Sequence, residues 1–201
     1  MKFKRKLSIE LERLEGFKNP KIMLEQYVTP PSLVAEIVSK VSLIDGLNRR
    51  VVDLGCGTGI ISIAFELLGT ESIGFEIDRE ALEVARRNSR NAGVKPDFIL
   101  CDVRKIELRR GDYMVVMNPP FGIHKKFADR IFLEKAMNFG EVIYSIHSAG
   151  SEKFIRSMSS ERGFSVTHVW RYLIPLKRTY SFHEKDFKQI AVEVYRIVRR
   201  S

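Results

Sequence analysis

The run Asn118-Pro119-Pro120-Phe121-Gly122 carries the most specific chemistry in the sequence. It directly follows Tyr113 to Met117, an apolar stretch that reads as a buried strand. That places it at the carboxyl edge of a sheet, where open α/β folds bind their ligands. An amide oxygen followed by a backbone carbonyl suits an exocyclic base amine, a poor nucleophile because its lone pair is delocalised into the ring. Both N–H bonds need acceptors so that the nitrogen can pyramidalise and attack. The Asn118 side chain and the Pro119 carbonyl can supply them, and Pro119 and Pro120 together freeze the turn that presents them. No strong general base is required. Phe121 adds a ring on which a base that has left its stack could lie.

A second constellation lies upstream. Val51 to Leu54 reads as a buried strand that breaks into Gly55-Cys56-Gly57-Thr58-Gly59 and opens a helix at Ile60. A dinucleotide fingerprint would place its third glycine after two intervening residues. Here the pattern is G-x-G-x-G, similar to that of S-adenosylmethionine sites. The backbone from Gly55 to Ile60, with a helix N-terminus behind it, is expected to hold that cofactor's carboxylate, and Asp53 to reach its amino group, directly or through water. Glu76, seventeen positions after Gly59, ends the next strand and is placed to accept the ribose hydroxyls. Asp78 reads instead as a helix cap. Asp102, with the N–H of Val103 or Arg104, could hold the cofactor's adenine, although an Asp there also forms turns. Methyl transfer from a sulfonium dissipates charge, so a dry pocket with the nucleophile held in line would carry much of the rate.

These residues need a sheet to position them. Strand patterns fall at 51–54, 72–77, 97–101, 113–117 and 141–147, alternating with helical patterns, which is the α/β signature. The clearest helix runs from Arg79 to Ala92, between an Asp78 cap and Gly93. Phe164–Pro175 and Lys188–Val198 then read as long adjacent strands forming an antiparallel pair. Ahead of the sheet, Leu7, Leu11 and Leu14 form one apolar stripe and Leu33, Ile37, Val38, Val41 and Ile44 another, with Thr29 as a helix cap before Pro30 and Pro31. The expectation is one domain over 1–201, helical over 1–48 and a sheet core over 49–201. Its fold would be a Rossmann-like three-layer sandwich with a seven-stranded, mostly parallel sheet and a C-terminal antiparallel hairpin, as in class I methyltransferases.

With 34 Lys and Arg against 25 Asp and Glu, the formal charge is +9. This favours a polyanionic partner such as RNA, although the same charge also serves solubility. Lys125 and Lys126, just past the Asn118 turn, would meet phosphates if that segment closes over a nucleotide, and are otherwise solvated loop charges. The two cysteines, Cys56 and Cys101, form no C-x-x-C pair, and His124, His147, His168 and His183 lack ligand spacing, so no metal site is expected. No apolar run approaches the roughly 18 residues that would span a membrane, and the N-terminus lacks a secretory pattern. A cytoplasmic location is the expectation.

The chain resembles the archaeal and eukaryotic methyltransferase-like family that forms N6-methyladenine in small-subunit ribosomal RNA. The likeness spans nearly the whole length. It rests on Leu24-Glu25-Gln26-Tyr27-Val28-Thr29-Pro30, the Asp53 loop, Gly74-Phe75-Glu76-Ile77-Asp78, Cys101-Asp102-Val103, the Asn118 turn and Tyr180-Ser181-Phe182-His183. The resemblance implies cofactor contacts from Gln26 and Thr29, and a small zinc-containing activator protein as a partner of the eukaryotic members. Glu76 stands where relatives carry Asp, which keeps the carboxylate and lengthens its reach, and Thr58 where a Cys can occur. The Asn-Pro-Pro-Phe turn also serves N2-guanine RNA methyltransferases, and a Tyr-bearing version serves glutamine methylation in proteins. DNA adenine methylation and a non-catalytic RNA-binding module complete the alternatives.

Overall fold

The computed structural model describes residues 2–122, 127–177 and 187–200. The expectations placed on Lys125 and Lys126, on His124, and on the 180–183 motif lie outside them.

Six helices and seven strands follow in the described residues: α1 (Lys2–Glu12), α2 (Pro31–Ile44), β1 (Arg50–Leu54), α3 (Ile60–Glu66), β2 (Ser72–Glu76), α4 (Arg79–Ala92), β3 (Asp97–Leu100), β4 (Tyr113–Met117), α5 (Ala128–Phe139), β5 (Gly140–Ser148), α6 (Glu152–Glu161), β6 (Phe164–Lys177) and β7 (Phe187–Arg199). The strands form one sheet in the order β3-β2-β1-β4-β5-β7-β6. The first five strands in this order run parallel, and β7 is antiparallel to both neighbours. The chain winds outward from β1 to β3 on one side and restarts at β4 on the other. The gap between the ends of β1 and β4 is therefore the switch point, where such sheets bind ligands.

Alternation along the strands sends side chains to two separate cores. Val51, Met114, Val116, Tyr144 and Ile146 pack with α1, α2 and α3 on one face. Val52, Leu54, Val115, Met117 and Ile143 pack with α5 and α6 on the other. The result is three layers. The α4 signals act as read: Asp78 accepts from the Glu80 N–H at 3.1 Å, and Gly93 closes the helix at φ +71°.

The start of α2 corrects the sequence reading. Pro30, not Thr29, is the capping residue, with no side-chain cap. The Pro30 carbonyl accepts from the N–H of Leu33 and Val34. Pro31 at the first helical position has no N–H to satisfy, so the Thr29 hydroxyl is left for another task.

Candidate active site

The loop after β1 turns through three left-handed glycines, Gly55 at φ +70°, Gly57 at +54° and Gly59 at +86°. All three also lack room for a side chain, Gly59 because a Cβ there would stand 2.8 Å from the Phe98 ring. A Cβ on Gly55 would stand 2.9 Å from the Phe132 ring, and one on Gly57 2.8 Å from Phe17. Protein rings, and not only a ligand, thus demand glycine here. Phe17 and Phe132 continue from the loop into the wall of a pocket that also receives Gln26, Glu76, Asp102 and Asn118.

Asp53 lies behind this loop, 1% exposed and off the pocket wall. Its Oδ2 accepts from the Ser62 N–H at 3.1 Å and the Ser62 hydroxyl at 2.8 Å. Its Oδ1 is buried without a partner. Burial drives the carboxyl up to about 7 against the pull of the Ser62 bonds, and nearby Glu76 adds to the rise.

Glu76 ties the end of β2 to the glycine loop. Oε2 accepts from the Gly57 N–H at 2.8 Å, and Oε1 from the N–H groups of Ile77 and Asp78 at 2.9 and 2.8 Å. Burial raises its pKa, and the three backbone donors offset part of the rise. With three donors in place, the unused acceptor position is on Oε2, so this conformation offers the ribose one hydrogen bond rather than the expected two.

Gln26 is held through both ends of its amide. Nε2 donates to Asp78 Oδ2 at 2.8 Å, and Oε1 accepts from the Lys21 N–H at 2.7 Å. Asp78, also paired with Lys21 Nζ at 2.6 Å, is pushed up by burial but held below the usual carboxylate range by Gln26 and Lys21. Asp102 caps the short turn Val103–Lys105, accepting from the Arg104 N–H. The Arg104 guanidinium beside it holds its carboxyl down at about 2. Its carboxylate therefore forms the turn, and Asp102 and Val103 both line the pocket.

At the end of β4, Asn118 Nδ2 donates to the Thr29 hydroxyl at 3.0 Å, and Oδ1 is buried with no partner. This is the task of the hydroxyl that does not cap α2. Among the described residues, three buried side-chain polar atoms lack a partner, and two of them are Asp53 Oδ1 and Asn118 Oδ1. Buried acceptors are rarely left open without reason. Pro120 lines the pocket beside Asn118, whereas the half-buried Phe121 packs against the core and is not part of the wall.

Several pocket residues carried no signal of their own in the sequence. Phe17 and Phe132 come from separate elements. Glu25, 8% exposed, adopts a left-handed backbone at φ +49°. Ala128 and Ile131 show that the first turn of α5 forms one side of the mouth.

Residues 33–139 match the methyltransferase small domain family. The chain is 34% identical to the rRNA N(6)-adenosine-methyltransferase Mettl5 of Drosophila melanogaster over 96% of its length and 94% of the fly protein. It is 37% identical to a protein of Methanocaldococcus jannaschii, over 96% of this chain and 93% of that one. A crystal structure of a candidate RNA methyltransferase from Pyrococcus horikoshii superposes with a TM-score of 0.92 at 40% identity, covering both chains completely.

Proposed function

This chain belongs to the methyltransferase small domain family, and from that premise we propose that it transfers a methyl group from S-adenosylmethionine to N6 of an adenine in ribosomal RNA. The observation that carries the reading is the open Asn118 Oδ1, buried beside Pro120 and held by Thr29 in a pocket shared with Glu76. An acceptor left unpaired in a dry site costs stability unless a ligand donor completes it, and an exocyclic N–H is such a donor.

The residues fit the cofactor as well. When bound, S-adenosylmethionine supplies an electrophilic methyl group on a sulfonium. Asp53 Oδ1, unpaired but off the pocket wall, would meet an ammonium at the glycine loop through water. Glu76 keeps an acceptor that would take a ribose hydroxyl, and Val103, on the pocket wall, would meet an adenine edge. Asn118 Oδ1 and the Pro119 carbonyl would then hold both amine hydrogens and turn the nitrogen lone pair toward the methyl group. The ribosomal and adenine specificities draw on the Drosophila relative. The small-subunit preference and a zinc-containing activator draw on the family resemblance, and both belong to the proposal.

The test supplies labelled S-adenosylmethionine with separated small- and large-subunit RNA, with and without an activator protein, and identifies the labelled nucleosides by mass spectrometry. N6-methyladenine in small-subunit RNA is expected. Label in N2-methylguanine would move the acceptor, and label in protein alone would overturn the RNA reading.

A further inference from the structure

We propose that Phe127 is the residue that covers the gap in the RNA stack when the target adenine leaves it, by stacking on an unpaired base beside the target at the pocket mouth. This rests on the reading of the pocket as a site for an RNA base amine.

Three observations converge on this residue. Phe127 is 67% exposed, the largest exposure of any aromatic among the exposed large hydrophobic side chains described. It stands immediately before α5, whose residues Ala128, Ile131 and Phe132 line the pocket with Asn118. Its backbone is left-handed, at φ +63° and ψ +17°, a conformation that disfavours a bulky side chain and that glycine adopts freely. Among the described residues, two non-glycine residues have positive φ, Phe127 and Glu25. Glu25 lines the pocket and stands two residues after Met23, which is itself a wall residue 67% exposed. One strained position thus lies on the pocket wall and the other directly precedes the wall residue Ala128, and strain of this kind clusters at functional sites.

The chemistry names the occupant. Asn118 Oδ1 is buried, so an amine can reach it only if its base leaves the stack. The neighbouring base then exposes a face that water solvates poorly. Phe121, whose ring packs against the core, is not on the wall to cover it. An exposed ring at the mouth does so with little sequence preference, and the chain's charge of +9 favours the polyanion that carries the base.

The test measures binding of a short single-stranded RNA with 2-aminopurine next to its central adenosine, by fluorescence titration with wild type, Phe127→Gly and Phe127→Trp. Wild type should quench the probe. Phe127→Gly should bind about ten- to a hundredfold more weakly, the usual worth of one stacked base, and lose the quench, and Phe127→Trp should restore both. Because glycine relieves the backbone at this position, Phe127→Gly should melt no lower than wild type, which separates lost stacking from lost folding. Unchanged affinity in Phe127→Gly, failure of Phe127→Trp to restore the quench, or no RNA binding by wild type would overturn the proposal. The readout does not depend on catalysis. Stacking without any N6-methyladenine product would leave this inference standing and remove the adenine reading.

Discussion

The two halves of the pocket are built differently. On the side proposed for the cofactor, at the ends of β1, β2 and β3, most polar groups are held by the protein itself: Glu76 takes three backbone donors, Asp78 binds Gln26 and Lys21, and Asp102 binds Arg104. Asp53 Oδ1 and one position on Glu76 Oε2 are left over. On the side proposed for the acceptor, between the Asn118 turn and the start of α5, a single hydrogen bond from Asn118 to Thr29 orients an otherwise unpartnered amide, the wall exposes Met23, and the exposed Phe127 directly precedes the wall residue Ala128. The first region is braced by its own hydrogen bonds. The second is completed by what enters it.

Substitutions should separate the two halves. The largest effect is expected from Asn118→Ala, which should lower kcat by about a hundred- to a thousandfold, as removal of one preorganised polar contact does, while calorimetry finds cofactor affinity unchanged. Near-normal turnover would erase the distinction. Glu76→Ala should do the reverse, weakening cofactor binding by about ten- to a hundredfold and lowering the melting temperature, since three backbone donors lose their partner. Unchanged affinity would show that Glu76 is only a brace for the glycine loop.

Thr29→Val should be milder, lowering kcat by about tenfold for the loss of one neutral hydrogen bond, with the cofactor dissociation constant retained. A loss of cofactor affinity instead would move Thr29 to the other side of the comparison.

The smallest effect is a pH slope. The Asp53 carboxyl is raised from 3.8 to about 7 in the folded chain, so below its unfolded pKa it is protonated in both states and adds no penalty. As pH rises from about 4 toward 7, the unfolded state releases its proton and the folded state keeps it, so the stability of the cofactor-free protein should fall over that window. Differential scanning calorimetry of Asp53→Asn should show a flatter profile. An identical slope in both proteins would place the ionisation elsewhere.

What was legible in the sequence was what local chemistry determines. The glycine loop, the Asp78 cap with Gly93, the Asn118 turn and the C-terminal strand pair each carry their signal within a few residues. The pairing of Thr29 with Asn118 joins positions 89 apart, and only the fold brings them together, which is why Thr29 read as a cap. The rings of Phe17 and Phe132 over Gly57 and Gly55 were hidden for the same reason. Phe121 shows the converse: its place in the motif pointed to a base, while in the fold it is half-buried against the core and off the pocket wall.

The most direct test of the central claim, that Asn118 Oδ1 waits for an exocyclic amine, is a crystal structure of the protein with S-adenosylhomocysteine and an adenosine-bearing RNA fragment. The account predicts the adenine N6 within about 3 Å of Asn118 Oδ1 and the base outside its stack. An N6 out of hydrogen-bond reach, with Oδ1 satisfied by the cofactor or by the protein, would contradict it.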